Sequence, residues 1–376
     1  MKIAIITNDT TYTYNLRAQL IRGIRSAGHE VLVISQPRTF QAELKQLGAR
    51  LCFIDNKRQG KNPFQDIRLV LRYIAILKEE HPDAVLSFNI KPNIYGGLAC
   101  RLLRIRFFPN ISGLGKALEF SGPMQKLTTA LYRFGVAQAE TIFFQNHANQ
   151  DFFERHKLIS SKTKAVLLPG SGVDLSRYSP LPYPTGSAVI FLFVSRILKE
   201  KGIDYYLHAA KEIRKTHPEA EFHVCGMIDD PQYHAILNTA VASGDIVYHG
   251  EQLHMQPFYE IASCVVHPSY YPEGMSNTLL EAAACARPII TTNRSGCMEA
   301  VDDGRTGFIV PTQNEAELVD AIMRFLTMSW PQRKEMGRLG REKIVREFDR
   351  SIVAKHYMQA IFSPEIAAKE QTEIGL

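Results

Sequence analysis

Residues 267–292 read HPSYYPEGMSNTLLEAAACARPIITT. They are entered from the run Cys264-Val265-Val266 and close on 288–292, and both runs are too short and too β-branched for helices. Between them a turn opens a helix. Pro272, Glu273 and Gly274 form the turn, Ser276 or Asn277 serves as N-cap, and 278–286 has a strongly helix-forming composition. A helix that begins just past the carboxyl end of a strand points its unpaired N–H groups into the crevice where open α/β sheets bind ligands. Such a helix end favours a phosphate.

Two carboxylates bracket that helix start, Glu273 in the loop and Glu281 about a turn inside. One faces a group beyond the phosphates and the other a group beside them. The expected ligand therefore carries hydroxyls on both sides of a phosphate, as a nucleotide sugar does. Taken alone, the pair is equally a helix-dipole partner and a solvated loop charge.

The remaining chain fits that reading. At 376 residues, 45% hydrophobic and 22% charged, it has room for two ordinary globular domains. No apolar run approaches the roughly 18 residues of a membrane span, and 1–7 reads as a first strand rather than a signal peptide. Six cysteines are scattered without a close pair, neither a disulfide framework nor a zinc site, which suits a reducing cytoplasm. The formal charge of +6 is uneven: residues 1–180 carry 25 Lys+Arg against 13 Asp+Glu, and the rest 19 against 25. A basic half without an RNA- or DNA-binding signature ranks an anionic membrane surface or lipid-linked anion above nucleic acid.

Strand-like and helix-like segments alternate along the chain. Strands are expected at 2–7, 31–36, 51–55, 84–88, 106–111, 141–145 and 164–168, with amphipathic helices at 15–27, 64–80 and 126–138. After a stretch rich in Pro and Gly the pattern restarts at 188–195, 221–226, 245–250, 264–268, 289–292 and 307–310. Alternation of this kind implies parallel sheets with crossover helices. The expected architecture is α/β: two Rossmann-like, doubly wound domains with a cleft between them. Residues 1–170 would form the acceptor-binding domain, 171–186 the linker, 187–350 the nucleotide-sugar domain, and 351–376 a helix returning to the first domain.

Arg196 ends the first strand of the second half and Lys201 follows in the next turn, on the same strand-end rim as the Glu273 loop. Arg can chelate phosphate oxygens and Lys supplies a point charge. Rival motifs lack their parts. Gly113-Leu114-Gly115-Lys116 has no first glycine and no following Ser/Thr, so it is not a P-loop. No Gly-x-Gly-x-x-Gly follows the first strand, and neither His-Glu-x-x-His nor Gly-x-Ser-x-Gly occurs, which argues against nicotinamide, zinc-hydrolase and serine-hydrolase chemistry.

Arg196 with Lys201, Glu273-x₇-Glu281, Gly296-Cys297-Met298-Glu299-Ala300-Val301 and Asp303-Gly304-x-Thr306-Gly307-Phe308 resemble the signature of the retaining glycosyltransferases of family 4 (GT4). That family has the GT-B fold. In the first half, 89–97 and 112–115 are similar to the branch that extends undecaprenyl-diphosphate-linked saccharides, that of the bacillosamine α-N-acetylgalactosaminyltransferases. The chain departs from many members in its first loop, Asp9-Thr10-Thr11 instead of a glycine-rich turn, and in offering Asn89, Ile90 and Lys91 where others have a histidine.

The resemblance implies a retaining, metal-independent transferase without a cofactor, moving a hexose or N-acetylhexosamine from a UDP-sugar to a lipid-linked saccharide. Arg196 and Lys201 would hold the diphosphate and stabilise the leaving nucleotide. Glu281 would hold the ribose, and Glu273 with Gly274, Met275, Ser276 and Asn277 the donor sugar. Lys91, Asn93 and Lys116 are the acceptor-side candidates. Alternatives are a GT-B sugar-nucleotide epimerase and a non-catalytic GT-B partner subunit. Basic stretches at 57–61 and 101–106 fit docking at the cytoplasmic membrane face or a solvated basic surface.

Overall fold

In the computed structural model the described residues are 1–55, 63–115, 118 and 122–373, the side chains of 63 and 363–373 excepted. Lys116 and the basic stretch 57–61 lie outside them. The chain divides into two compact units, Met1–Gly172 with Arg350–Leu376, and Val173–Asp349.

The first unit holds a seven-stranded sheet of β1 (Lys2–Asp9), β2 (Glu30–Gln36), β3 (Ala49–Phe53), β4 (Ala84–Phe88), β5 (Arg106–Ile111), β6 (Thr141–Phe144) and β7 (Lys164–Leu167), in the order β3-β2-β1-β4-β5-β6-β7. Every pairing is parallel. The central strands are apolar on both faces because helices cover both: Ile3 to Ile6 and Val31 to Ile34 are all buried. The helix expected from 15 starts at Thr10, directly after β1, because the Asp9 carboxylate accepts the Tyr12 N–H at 2.8 Å and caps it. Its Thr-rich first turn has no apolar rhythm to announce it.

The second unit repeats the plan with β8 (Val189–Val194), β9 (Ala220–Cys225), β10 (Val247–Tyr248), β11 (Cys264–His267), β12 (Ile289–Thr292) and β13 (Gly307–Val310), ordered β10-β9-β8-β11-β12-β13 and parallel throughout. β10 is shorter than expected. It lies at the edge, and the chain turns away at Gly250 with φ +71°. In each sheet the strand order reverses once, between β1 and β4 and between β8 and β11. Those are the places where an open parallel sheet offers a crevice at its strand ends.

Of the stretch expected as a linker, Gly172 ends the first unit, and Val173, Tyr178 and Tyr183 are already buried in the second. The C-terminal helix Arg350–Glu373 belongs to the first unit. Val353, Tyr357, Ile361 and Phe362 pack with Ile3, Ile5, Leu20 and Ile24. Buried Arg350 fixes its start by donating to the carbonyls of Asn15 at 2.7 Å and Gly172 at 2.9 Å.

Candidate active site

The second unit's crevice is built from the loops after β8, β9 and β11. Arg196 follows β8, Lys201 ends the 3₁₀ turn Lys199–Lys201, and the loop after β11 carries Ser269, Tyr271 and Glu273. Two glycines let these segments meet. Gly202 has φ +81°, and a Cβ there would stand 2.1 Å from the Pro268 carbonyl oxygen. Gly296, at φ +89°, admits the Glu273–Gly274 backbone, whose oxygens a Cβ would meet at 3.1 and 2.9 Å. Only glycine adopts these angles without strain while leaving that space.

Three of the four expected charged groups share one constellation. The Lys201 ammonium, nearly buried, forms a short ion pair with Glu273 Oε1. That same oxygen accepts from Ser269 Oγ at 3.2 Å and lies 3.5 Å from His267 Nε2. Burial alone would raise the Glu273 carboxyl, but Lys201 and His267 outweigh it and hold it well below the ordinary range. The carboxylate stays ionised. Burial pushes the His267 imidazole down, with the Lys201 charge adding to the effect against the opposing pull of Glu273. The Arg196 guanidinium donates to Asp229 Oδ2 at 2.6 Å, and Tyr271 lies between the cations, its ring centroid 5.7 Å from Arg196 Cζ and 4.9 Å from Lys201 Nζ.

The helix Asn277–Ala284 opens beside them. Ser276 is its N-cap residue, but its hydroxyl pairs with His267 Nε2 at 3.2 Å and makes no capping bond to the helix. Its own N–H donates to the Gly296 carbonyl at 2.7 Å. Asn277 Oδ1 is buried without a hydrogen-bond partner. The fourth charge, Glu281, stands a turn further on, where the Tyr259 hydroxyl donates to its Oε2 at 3.3 Å. Burial keeps that phenol protonated. Met275 does not face the crevice: its side chain packs in the core with Leu279 and Cys297, so only its backbone can serve a ligand.

His267, Glu273 and Cys297 bring potential ligand atoms within 4.8 Å of one another. Their chemistry suits a cation poorly. The Lys201 ammonium already occupies Glu273 Oε1, and burial pushes the Cys297 thiol upward, away from the thiolate a metal requires.

In the first unit, Lys91 pairs with Asp66 at 3.0 Å and lines a hollow of about 620 Å³ with Arg68 and Arg72. Asn93 turns inward instead. It is 1% exposed, accepts from Ser87 Oγ at 2.6 Å and donates to the Asn110 carbonyl at 2.8 Å, so its amide ties β4 to β5. Asn89, at the end of β4, has φ +79° and a buried Oδ1 without a partner, and a π-helical turn, Pro92–Gly96, follows. Sequence reasoning passed over Asp229, Tyr271 and Tyr259. Tyr271 stood in the quoted loop, whereas Asp229 and Tyr259 join the site only through the strand order.

Two family models match the chain, glycosyl transferase 4-like over residues 2–146 and glycosyl transferases group 1 over 188–328. The chain is 24% identical over 380 residues, 96% of its length and 98% of the relative's, to the N,N'-diacetylbacillosaminyl-diphospho-undecaprenol alpha-1,3-N-acetylgalactosaminyltransferase of Campylobacter jejuni. Its fold is similar to a glycosyltransferase from Rickettsia africae, with TM-score 0.78, 18% identity, and 96% and 98% of the two chains covered. It is also similar to Anabaena HepE in complex with UDP-glucose, with TM-score 0.79, 16% identity, and 96% and 100% covered. With a match in each half, two parallel sheets of the same plan and that fold likeness, the chain belongs to the family 4 glycosyltransferases and has their GT-B fold.

Proposed function

We propose that this glycosyltransferase moves a hexose or N-acetylhexosamine from a UDP-sugar, with retention and without a metal, to a saccharide carried on a lipid diphosphate at the inner membrane face. The single observation that carries the donor side is the constellation at the β8/β11 switch: Arg196, Lys201 and a helix start whose N-cap side chain is spent on His267. As the anomeric C–O bond breaks, its electron pair goes to the diphosphate oxygen. Fixed cations and a helix N-terminus then stabilise the transition state more than the ground state. An ammonium has three donors, so the bond to Glu273 leaves Lys201 capacity for phosphate oxygens, and a guanidinium has five. The acceptor hydroxyl oxygen forms the new bond, and its proton passes to a donor phosphate oxygen. Glu281 receives the ribose hydroxyls and Glu273 orients the donor sugar.

The Campylobacter relative is named for an acceptor on diphospho-undecaprenol, and HepE was solved with UDP-glucose; both support this choice of substrates. Lys91, Arg68 and Arg72 line one hollow together with Asp55 and Asp66, and the excess of cations there supports a lipid diphosphate as the acceptor's carrier. Among the described residues no helix is long and apolar enough to cross a membrane; the lipid-linked acceptor is what brings the protein to the membrane surface in this reading. The test is transfer of labelled sugar from UDP-hexoses and UDP-N-acetylhexosamines to a lipid-diphosphate-linked saccharide in EDTA. Product with the α-linkage of the donor is expected. A product of inverted configuration, or activity abolished by EDTA, would overturn the corresponding part.

A further inference from the structure

Three helices of the first unit, Pro63–Glu80, Gly97–Leu103 and Pro123–Gly135, cover the same face of its sheet. Their inner residues Leu69, Tyr73, Ala99, Cys100 and Tyr132 join one core with Ile6, Val85 and Phe107 of the strands. Their outer faces are not polar. Ile67, Leu71, Leu102, Leu127 and Phe134 are between 56% and 68% exposed, and Met124 is 47% exposed. At helical spacing, Ile67 and Leu71 form one ridge, and Met124, Leu127 and Phe134 another. Arg68, Arg72, Arg101, Arg104, Lys126 and Arg133, on or at the end of the same helices, are exposed as well. Of the three acidic residues on the same helices, Asp66 pairs with Lys91, Glu80 pairs with Lys2 and Arg50, and Glu79 is exposed.

The opposite face of the same sheet is finished differently. There Leu20, Ile21 and Ile24 of the helix Thr10–Ser26 point inward, the C-terminal helix covers part of the surface, and exposed positions include Arg22, Arg25 and Ser26. Among the described residues of the first unit, large apolar side chains are therefore concentrated outward on one face, with cations among them. An exposed apolar patch of this kind marks an interaction surface. A second copy of the chain is a poor occupant, because it would set two cationic faces together. An anionic bilayer suits both features: Leu, Ile, Met and Phe enter the headgroup–acyl boundary while Arg and Lys stay at the phosphates.

We infer that the outer face of these three helices is a docking surface for a bilayer containing anionic phospholipid. The inference deepens the proposed function by assigning its membrane contact to particular side chains, and it rests on that reading only for the purpose the contact serves. Apolar insertion gives depth, and the cations give lipid selectivity.

The test is co-sedimentation of the full chain with phosphatidylglycerol-containing vesicles and with pure phosphatidylcholine vesicles, at low and high salt. The wild type is expected to bind the anionic vesicles and to lose affinity on the order of tenfold or more in high salt or on phosphatidylcholine. Leu127→Glu/Phe134→Glu and Arg68→Gln/Arg72→Gln should each weaken binding on the order of tenfold, with melting temperatures near wild type because the side chains are exposed. Arg22→Gln, on the other face, should bind as wild type. No selectivity for the anionic vesicles, or wild-type binding by both double variants, would overturn the inference. So would a dimer in sedimentation velocity that Leu127→Glu/Phe134→Glu dissolves. Vesicle binding requires no catalysis: binding without sugar transfer would sink the reaction and leave the surface, and transfer to a detergent-dispersed acceptor without vesicle binding the reverse.

Discussion

Lys201 is the counter-ion of Glu273 and, in the function proposed above, also a ligand for phosphate, and these two duties are separable. Lys201→Ala should lower transfer on the order of 10²–10³. It should also destabilise the fold by about 3–5 kcal/mol, since it strands an almost buried carboxylate. Lys201→Met/Glu273→Gln removes both charges and should recover most of the melting temperature while staying inactive; an equally unstable double variant would show that the pair is not what holds the loop. Asp229→Asn keeps the shape of the side chain but removes the charge opposite Arg196. About a tenfold rise in KM for the donor is expected, at the scale of one charge-assisted hydrogen bond, and unchanged donor kinetics would show that Asp229 does not position Arg196. His267 adds a pH signature. Its imidazole is depressed in the folded state, so below the unfolded value near 6.5 the unfolded chain binds a proton that the folded chain does not, and stability falls as pH falls. Glu273, also depressed, acts in the same direction at lower pH. Between pH 7 and 5 the wild type should therefore lose stability more steeply than His267→Gln, by at most about 1.4 kcal/mol per pH unit. Parallel stability curves would contradict the neutral buried imidazole. At this scale the sequence was legible for Lys201 and Glu273, expected on one strand-end rim and joined there as an ion pair. It was silent on Asp229 and Tyr259, which meet their partners only after β9 and the helix Gln256–Ile261 are placed.

Elements position these groups through close backbone approaches. Gly202→Ala must push its methyl into the Pro268 carbonyl and hold φ +81°, whereas Gly304, at φ +72°, has nothing within 4 Å of its would-be Cβ. Gly304→Ala should cost about 1–2 kcal/mol of left-handed strain and keep activity, while Gly202→Ala should cost more and lose activity. Equal effects on melting and turnover would show that strain alone, and not the contact of the Lys201 turn with the β11 end, limits the site. The strands were legible because parallel strands covered on both faces are continuous apolar runs, and β4, β5, β12 and β13 lie where those runs predict. The start of the first helix and the π-helical turn at Pro92–Gly96 were not, since one depends on a capping bond and the other on a shift in backbone pairing.

The whole molecule is two sheets of one plan, with a C-terminal helix that completes the first unit's core. Tyr357 is the centre of that contribution: it stacks edge-on to Phe88 and Phe143 and meets the Asn110 amide at 2.5 Å. Tyr357→Ala should destabilise the first unit by about 3–5 kcal/mol. The alternation of the chain made both sheets legible. The outward apolar ridges of the first unit were not, because exposure depends on which face of each helix the sheet covers. In the proposed function the β8/β11 crevice binds a nucleoside diphosphate through Arg196, Lys201 and the helix start at Asn277. Calorimetric titration of UDP and of uridine, in EDTA, into wild type and Arg196→Ala tests it most directly. Saturable UDP binding to the wild type, at least tenfold weaker binding to Arg196→Ala, and little heat with uridine are expected. A flat UDP titration, or UDP binding that Arg196→Ala leaves intact, would contradict it.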